Sequence, residues 1–586
     1  MSKRNIFNRV PIRRIRRSSF DLSHKVLTTM EMGKLYPVGT PLMCIPGDKI
    51  KLGHQVVTHA SPMNAPAFVD CSIYFMDFFV AFRNLYKDEH LWERFISNET
   101  LDNGDTPVLP RMNLTDQNGL SVSGGAVGSL YTNYDTLWDY FGFQTGCHPE
   151  GTSAPLDAPW RAYWQIWNEF IRDEKLQKAV DWQKEMTDPD ADMSTAMPLI
   201  KPARVNYGRD YFTSAFLSPQ QGDAVALPLS GYAPIVGDPY IYGAHSSRIQ
   251  GAGISDNVRY PLRFGSSGAF DSGNTNMLVQ ESGESINVGV GNAPHNYAVL
   301  HTKSQEISDE VGSIGEPVHG YEGDALMADL SAASSYDIND LRLANANQRW
   351  KEINNLCGTR YTEFLRAQYG VAPRDERLQR PEYIGGTKAP LIVSQVLQTS
   401  NSDTETSPTG TKYGQGMIAS ADYSGTYRVK EHGLIMTVAF IRPKTLYQDG
   451  IAREWTPKTY LDFMNPLFVG LGEQAIKNGE VFAVDSETEN NKIWGYESMY
   501  QEYRYKQDRV TGKMRSNITG DMNNSFDYWH LGRHFDSLPN LNGEFITCNP
   551  SSRIFTARDT EVQYLCEIGQ IVKAVRPLPY YAMPHL

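Results

Sequence analysis

Two histidines stand at a spacing that could bind a metal ion. The sequence HLGRH places His530 and His534 four residues apart, which on a helix would put both imidazoles on one face. Gly532 weakens such a helix, and no third ligand can be identified beside the pair. We therefore expect two surface or interface histidines and no metal cofactor.

A run of aspartates has part of the pattern of a calcium loop. The sequence DPDAD places Asp188, Asp190 and Asp192 at alternating positions, as the first ligands of such loops are. Met193 and Leu199 occupy the positions that require glycine and glutamate. A solvated acidic turn is the better interpretation.

The chain lacks the motifs of common enzyme sites. It contains no GxSxG nucleophile motif, no GxxxxGK[ST] phosphate loop and no HExxH zinc motif. The segments GAGISD and GVGNAP begin like a dinucleotide-binding motif, but both lack the third glycine. No cofactor is expected, although a soluble β-rich enzyme or carbohydrate-binding protein stays an alternative at this point.

The strongest charge feature lies at the start of the chain. The first twenty residues contain no acidic side chain and carry these cations: Lys3, Arg4, Arg9, Arg13, Arg14, Arg16 and Arg17. The whole chain is acidic, with a formal net charge of -12. A segment so rich in charge, with Pro11 and few apolar residues, does not fold alone. We interpret residues 1–20 as a basic N-terminal arm.

Such an arm has three possible roles on its residues alone. Basic arms commonly bind nucleic-acid phosphates by releasing counterions. The arm could instead pair with acidic patches on a neighbouring subunit. A mitochondrial targeting segment is also rich in arginine and poor in acids, but Pro11 interrupts the helix that targeting requires.

Length and composition indicate a mainly β protein. The chain has 586 residues, more than one simple core accommodates, and contains 48 Gly and 33 Pro. Apolar runs at 71–82 and 432–442 predict strands covered on both faces, whereas 561–575 alternates more. Because these runs are far apart, a shared core would be built from non-local pairings, as in sandwiches and jelly rolls. No apolar run reaches the length of a membrane span, so we expect no membrane insertion.

Helices and polar segments separate the predicted strands. Apolar residues recur with helical period over 157–174, with Asp157 as N-cap and Pro159 in the first turn. Shorter helices are predicted near 134–143, at 359–373 and at 465–479. We predict a helical insertion at 131–215, a Gly-rich acidic insertion at 222–340 and a surface loop at 401–416.

Several stretches, in order, resemble one family over most of the chain outside 230–340. They include CIPGDKIKL (44–52), SPMNAPAFVDCSIYFMDFFVAFRNLY (61–86), RAYWQIWNEFIRDE (161–174), GTRYTEFLRAQYGVAPRDERLQRPEYIGG (358–386), EHGLIMTVAFIRPKTLYQDGI (431–451), WHLGRHFDSLPNLNGEFI (529–546) and VRPLPYYAMP (575–584). The chain resembles the major capsid proteins of microviruses, and its gokushovirus-like branch most.

The resemblance implies a fold and a task. It implies an eight-stranded antiparallel viral jelly roll in a discontinuous capsid domain, 21–586, with large insertions that contain several helices. Sixty copies would form a T=1 shell around a circular single-stranded DNA genome, assembled in the bacterial cytoplasm. The 222–340 insertion would project at the three-fold axes and contact a host receptor. A small basic DNA-binding protein and a pilot protein would be further partners.

Permanent shells need large interfaces with aromatic and arginine anchors. Two segments supply candidates, YQEYRYK (500–506) and RPLPYYAMPHL (576–586). The residues we expect at subunit contacts are Tyr500, Tyr503, Arg504, Tyr505, Arg576, Tyr580 and Tyr581. The alternative is that these aromatic side chains belong to the core of the subunit.

Overall fold

The computed structural model divides the chain into two compact units. One comprises Met1–Asp223 with Trp350–Leu586, and the other Ala224–Arg349. The residues described are 16–97, 106–112, 134–146, 149, 153–182, 200–222, 338–357, 374–397, 412–516, 525–556 and 562–581, with short pieces at 235–236, 240–242, 259–261, 277–281, 284–288, 327–328 and 366–367.

Strands account for most of the regular structure. In chain order they are β1 (Ser18–Asp21), β2 (His24–Met30), β3 (Tyr36–Pro37), β4 (Leu42–Cys44), β5 (Lys49–Ala60), β6 (Cys71–Ala81), β7 (Ile235–Val236), β8 (Tyr240–Tyr242), β9 (Arg259–Pro261), β10 (Met277–Glu281), β11 (Glu284–Val288), β12 (Met327–Ala328), β13 (Glu382–Pro390), β14 (Ile392–Leu397), β15 (Lys412–Arg428), β16 (Gly433–Pro443), β17 (Glu473–Lys477), β18 (Ile493–Ser498) and β19 (Tyr564–Arg576).

The helices are mostly short. They are α1 (Phe82–Leu85), α2 (Leu91–Ser97), α3 (Leu137–Tyr140), α4 (Ala158–Ile166), α5 (Ile338–Cys357), α6 (Asn478–Val481), α7 (Glu487–Asn490) and α8 (Gly543–Ile546). A π-helical turn, Trp167–Ile171, continues α4. Single 3₁₀ turns include Arg453–Trp455, Tyr460–Asp462, Val469–Leu471 and Gln501–Tyr503.

The first unit contains two large antiparallel sheets and the two-stranded sheet of β17 and β18. The six-stranded sheet has the order β1-β19-β5-β15-β14, and β2 pairs with another part of β19. The five-stranded sheet has the order β13-β6-β16-β3, and β4 also pairs with β16. Neighbouring strands come from distant parts of the sequence, since β5 lies between β15 and β19. This confirms the non-local β architecture that the apolar runs predicted.

The side chains between the two sheets form the central core. The six-stranded sheet contributes Val56, Ile418 and Ile568, and the five-stranded sheet contributes Phe75 and Ile441, all of them buried. Strand β19 alternates buried and exposed residues, because only one of its faces meets this core. The outer face of the six-stranded sheet is open.

The five-stranded sheet is covered on both faces. Strands β6 and β16 pair from Gly433↔Ala81 to Pro443↔Cys71, and nearly every residue of both is buried. Their second face packs on α4, where Trp160 and Tyr163 belong to the same cluster as Phe78. The prediction that 71–82 and 432–442 are covered on both faces is therefore confirmed.

Helix α4 matches its predicted start, with one correction. Asp157 is at the N-cap position and Pro159 is in the first turn, but the Asp157 side chain makes no capping hydrogen bond. The carboxylate instead accepts from Arg161 Nε at 2.6 Å and from the Tyr86 hydroxyl at 2.9 Å. Burial of Arg161 explains the difference, because an enclosed guanidinium requires a carboxylate partner.

The helix predicted over 465–479 is wrong. A 3₁₀ turn at Val469–Leu471 is followed by β17, which pairs antiparallel with β18, and the helix α6 begins only at Asn478. Gly472 has φ +87°, in the left-handed region, and ends the turn before the strand. The asparagine, proline and glycine signals were therefore those of a turn rather than of helix ends.

The mainly β antiparallel class is confirmed, whereas the count of eight strands stays a prediction. Strand β15 begins at Lys412, so 412–416 belong to a strand, and 401–411 lie outside the described residues. Of the helix predicted at 359–373, only 366–367 are described, and they are helical. The helical insertion at 131–215 contains α3 and α4, and its limits stay predictions.

The second unit is described only in short pieces. Three antiparallel pairs are present in it, β10 with β11, β12 with β7 and β8 with β9. The start of α5 also belongs to this unit. The unit spans Ala224–Arg349, and the limits of the insertion predicted at 222–340 stay a prediction.

Candidate assembly surfaces

Both histidines of HLGRH make hydrogen bonds within the subunit, and the expectation of a surface or interface position is wrong for His530. His530 is buried, with Nε2 2.6 Å from the Met514 carbonyl oxygen, and its Nδ1 accepts from the Gly532 amide at 2.8 Å. Nδ1 of His534 lies 3.2 Å from Asp449. Within the described ranges no group of three or more potential ligands could hold a metal ion. The DPDAD segment lies outside those ranges.

A buried polar group links the two sheets. Asp77, in the middle of β6, is fully buried, and its Oδ2 lies 2.9 Å from Nε2 of the buried His54. The hydroxyls of Ser424 and Thr437 donate to the same carboxylate at 2.5 and 2.6 Å. The four residues come from β5, β6, β15 and β16. Because both sheets contribute hydrogen-bond partners to one carboxylate, this polar group fixes the position of one sheet against the other.

The segment 451–469 exposes an unusual number of large apolar side chains, and we call it the apolar segment. Trp455 and Tyr460 are 77% exposed and Leu467 is 85% exposed. The other exposed members are Ile451, Phe463, Met464 and Val469. Clusters of this kind on a soluble protein mark interaction sites, and exposed tryptophan and tyrosine are the usual anchors.

Polar contacts hold the backbone of the apolar segment. Thr459 and Asp462 form a capping box around the turn Tyr460–Asp462, and the Asp462 carboxylate accepts from the amides of Lys458 and Thr459 at 2.8 and 2.7 Å. The Lys458 ammonium lies 2.7 Å from Glu487 in α7. The backbone is thus fixed by polar groups while the apolar side chains face outward. Such preorganisation lowers the entropy lost on binding.

A cleft of about 320 Å³ adjoins the apolar segment at Trp455. Its lining includes Tyr211, Arg453, Glu480 and Glu502. Arg453 Nη1 lies 3.4 Å from Glu480, and Tyr211 donates to the same carboxylate at 2.8 Å. An exposed indole beside a cleft is a typical arrangement of a protein–protein contact.

The guanidinium of Arg453 interacts electrostatically with three carboxylates, those of Glu480, Glu502 and Glu497. Arg453 Nε lies 3.8 Å from Glu502, and Gln474 bridges Glu502 and Glu497 at 2.7 and 3.3 Å. Burial raises the pKa of Glu497 to about 8 and also raises the pKa of Glu480. One guanidinium therefore faces three acids, and Glu497 keeps its proton near neutral pH.

The raised pKa of Glu497 predicts how stability depends on pH. Between about pH 5 and pH 8 the folded chain holds a proton that the unfolded chain releases, so the free energy of unfolding falls as the pH rises. The Glu497→Gln variant is expected to melt at a higher temperature than wild type at pH 8 and at a similar temperature at pH 5. Thermal melting monitored by tryptophan fluorescence checks this. The fully exposed Glu487 gives the control variant Glu487→Gln, which should leave the slope unchanged.

The aromatic residues predicted at subunit contacts occupy different environments. Tyr500 is 2% exposed and has φ 60°, so its side chain belongs to its own subunit, as the alternative interpretation held. Tyr503 and Arg504 are exposed, and Tyr505 is half-buried. Tyr503 and Arg504 are thus the more accessible members of this set, and the contact role stays a prediction.

The C-terminal aromatic residues are open to contact. Tyr580 and Tyr581 are both exposed, and the Tyr580 ring stacks on Phe20 of β1 with ring centroids 5.8 Å apart. Arg576 is half-buried and donates to the Met43 carbonyl oxygen at 2.8 Å. The start and the end of the described chain therefore meet at one edge of the six-stranded sheet.

Most of the basic arm lies outside the described residues. This applies to Lys3, Arg4, Arg9, Arg13 and Arg14. Arg16 and Arg17 are described and exposed, and they directly precede β1. Since β1 pairs with β19, the arm joins the six-stranded sheet at its edge.

Comparison with known proteins decides the family. Residues 8–586 match the family described as Capsid protein (F protein). The chain belongs to this phage capsid protein family. It is 32% identical to Capsid protein VP1 of Chlamydia phage 1, an alignment that covers 100% of this chain and 98% of the relative. It is 31% identical to Capsid protein VP1 of Bdellovibrio phage phiMH2K, with 99% and 97% covered.

A third relative agrees with the first two. Capsid protein VP1 of Spiroplasma virus 4 is 28% identical, with 98% of this chain and 96% of the relative covered. The resemblance to microvirus capsid proteins that the motifs indicated is confirmed. The chain is therefore a structural component of a phage virion that assembles with copies of itself, and an enzyme or carbohydrate-binding role is not favoured. Its described helices include none that is long and apolar enough to cross a membrane.

Sequence reasoning missed both the Asp77 group and the apolar segment. A signal for the first was present, because Asp77 is the one charged residue in the apolar run CSIYFMDFFVAF. The apolar segment, IAREWTPKTYLDFMNPLFV, has many large apolar residues but no period of 2 or 3.6. That combination indicates a surface that is not covered by its own fold.

Proposed function

We propose that this capsid protein forms a T=1 icosahedral shell of sixty copies around a circular single-stranded DNA genome, assembled in the bacterial cytoplasm. The observation that carries the proposal is the apolar segment, whose anchors Trp455, Tyr460 and Leu467 have no cover within the described subunit. A closed shell requires each subunit to bury several patches against its neighbours. A cleft lies beside Trp455 and adds a concave surface to this patch.

Expression of the full chain followed by negative-stain electron microscopy tests the shell. Closed particles of one size, each containing sixty copies by mass measurement, are expected. Monomers or open sheets at micromolar concentration would contradict the proposal.

The basic arm faces the enclosed DNA in this arrangement. Arg16 and Arg17 are exposed at the edge of the six-stranded sheet, and the more distant cations lie beyond them in sequence. Phosphates attract such an arm, because binding releases the counterions that surround the nucleic acid. A small basic protein would share the neutralisation of the genome, and a pilot protein would be a further partner inside the particle.

Removing the arginines of the arm is expected to reduce packaging. A variant with Arg13, Arg14, Arg16 and Arg17 all replaced by Gln should contain less DNA per particle, measured as the ratio of absorbance at 260 and 280 nm of purified particles. The control replaces Lys492 and Lys444 by Gln, which are exposed and paired with Glu489 and Asp508. Equal DNA content in both variants would exclude a packaging role for the arm.

The insertion 222–340 contacts the host receptor in this proposal. Its support is the family resemblance and the Gly-rich, acidic composition of the segment. Particles in which 240–320 is shortened should assemble but fail to adsorb to host cells. Normal adsorption would disprove the role.

A further inference from the structure

One end of the open face of the six-stranded sheet carries four cations on three neighbouring strands. Lys49 and Lys51 lie on β5, Lys573 on β19 and Arg428 on β15. All four are exposed. Their sequence neighbours Ile50 and Ala574 are buried in the core below, so the cations project away from it. We call these four residues the cationic end of the sheet.

The four cations oppose one another in register. Lys51 pairs directly with Lys573, and Lys49 pairs directly with Arg428. Like charges directly opposite each other destabilise a sheet. None of the four has a carboxylate partner within 4 Å among the described residues. Two such pairs side by side weaken the fold unless an anion occupies the face above them.

The acidic groups on this face compensate the cationic end only in part, since Asp21 attracts Lys573 without forming an ion pair with it. Asp21 is opposite Lys573 on the other side of β19, but its carboxylate accepts from the amide and hydroxyl of Ser23 at 3.0 and 2.5 Å. Glu567, further along β19, is paired with Lys25 at 2.5 Å. The free positive charge is therefore concentrated at Lys49, Lys51, Lys573 and Arg428.

A flat apolar strip borders the cationic end. Tyr423 of β15 is 55% exposed and lies opposite Gly53. Gly53 in turn lies opposite Ile571, which is also exposed. The Lys51 ammonium is 4.7 Å from the centroid of the Tyr423 ring. A partly exposed aromatic ring beside cations is the combination that single-stranded nucleic acids bind, with bases stacked on the ring and phosphates on the cations.

The cationic end is also continuous with the basic arm. Ser19 of β1 pairs with Val575 of β19, and Val575 pairs with Lys49. Arg16 and Arg17 directly precede β1, and only β19 lies between β1 and the strand that carries Lys49. A second copy of the chain is a poor occupant, since a symmetric contact would place these cations against each other.

We propose that the cationic end and the Tyr423 strip bind the single-stranded DNA directly, as a fixed site beside the arm. The inference rests on the proposed function for the identity of the polyanion. Lys51, Lys573, Lys49 and Arg428 hold consecutive phosphates, and the ring of Tyr423 stacks on a base. The site is sequence-independent, because its contacts are to the backbone and to the face of a base.

The test is binding of a fluorescent oligothymidylate of about 30 nucleotides to the purified full chain, followed by anisotropy at several salt concentrations. The Lys51→Gln, Lys573→Gln double variant should bind at least about fivefold more weakly. The slope of log K against log salt should become shallower by about 1.4, because two phosphate contacts are lost. Tyr423→Leu should weaken binding without changing that slope, since stacking involves no counterions.

The controls separate binding from folding and from shell formation. Lys444→Gln, Lys492→Gln removes the same charge from two exposed lysines that are paired with Asp508 and Glu489, and it should bind as wild type does. The Lys51, Lys573 variant should melt no lower than wild type, because it removes a repulsive pair. Equal affinity and slope in both double variants would overturn the site while leaving the shell untouched. Loss of particles with unchanged DNA binding would show an acidic segment of another copy as the occupant, and would also overturn it.

Discussion

Replacing Asp77 by alanine is expected to destabilise the subunit by about 3–5 kcal/mol, because each buried polar group left without its hydrogen-bond partner costs about 1–3 kcal/mol. The change leaves His54 and the hydroxyls of Ser424 and Thr437 without their shared acceptor between the sheets. It also leaves a cavity in a part of the core where β6 is fully buried. Urea unfolding monitored by tryptophan fluorescence measures the loss.

Two further variants make the Asp77 result interpretable. Asp77→Asn keeps an oxygen that can accept from Thr437 but replaces the oxygen shared by Ser424 and His54 with an amide nitrogen, so an intermediate loss is expected. Asp422→Ala removes an exposed aspartate from the neighbouring strand β15 and should change stability by no more than about 0.5 kcal/mol. If Asp77→Ala unfolds at the same urea concentration as Asp422→Ala, the polar group does not hold the sheets together.

The second large effect concerns assembly. The Trp455→Ser, Leu467→Ser double variant is expected to fold but to form no shells. Both side chains are exposed in the free subunit, so their loss leaves its core intact. Anchor residues of interfaces each contribute about 2 kcal/mol or more to binding, and every copy in a closed shell uses the same contact.

Sedimentation and electron microscopy separate the two halves of this prediction. The melting temperature should equal that of wild type, while particles are absent at the concentration at which wild type assembles. The matched control is Leu27→Ser, Val108→Ser, two apolar residues that are 79% and 68% exposed but lie outside the apolar segment. Shells at wild-type yield from the Trp455, Leu467 variant would exclude the segment from the subunit contacts.

Two strands of the five-stranded sheet, β6 and β16, were predictable because both segments are almost wholly apolar. Apolar side chains on both parities of 71–82 and 432–442 require cover on both faces, and the structure supplies the second sheet and α4. Pairing between β6 and β16 was not predictable from either segment alone. Other strands of similar length and composition could pair with β6 equally well. The choice of β16 depends on the fold of the whole chain.

Local signals failed where tertiary pairing decided the outcome. The asparagine, proline and glycine of 465–479 are placed as helix ends would be, yet β17 gains a ladder of hydrogen bonds with β18. Tyr500 is of a residue type that is common at subunit contacts, but its side chain is buried in its own subunit. A stretch of a few residues determines neither how deeply a side chain is buried nor which strand pairs with it.

The basic arm and the cationic end differ in how far they could be predicted from the sequence. The charge of residues 1–20 was visible because it is contiguous in sequence. Lys51, Arg428 and Lys573 are hundreds of residues apart, and only the register of β15, β5 and β19 brings them together. The electrostatic surface of a sheet cannot be read before its strand order is known.

We propose above all that copies of this chain form a closed shell. Negative-stain electron microscopy of the purified full chain, with its mass measured in the same preparation, tests it most directly. Closed icosahedral particles of a single size containing sixty copies are expected. A monodisperse monomer that forms no particles over the range of salt and concentration at which it stays folded would contradict it.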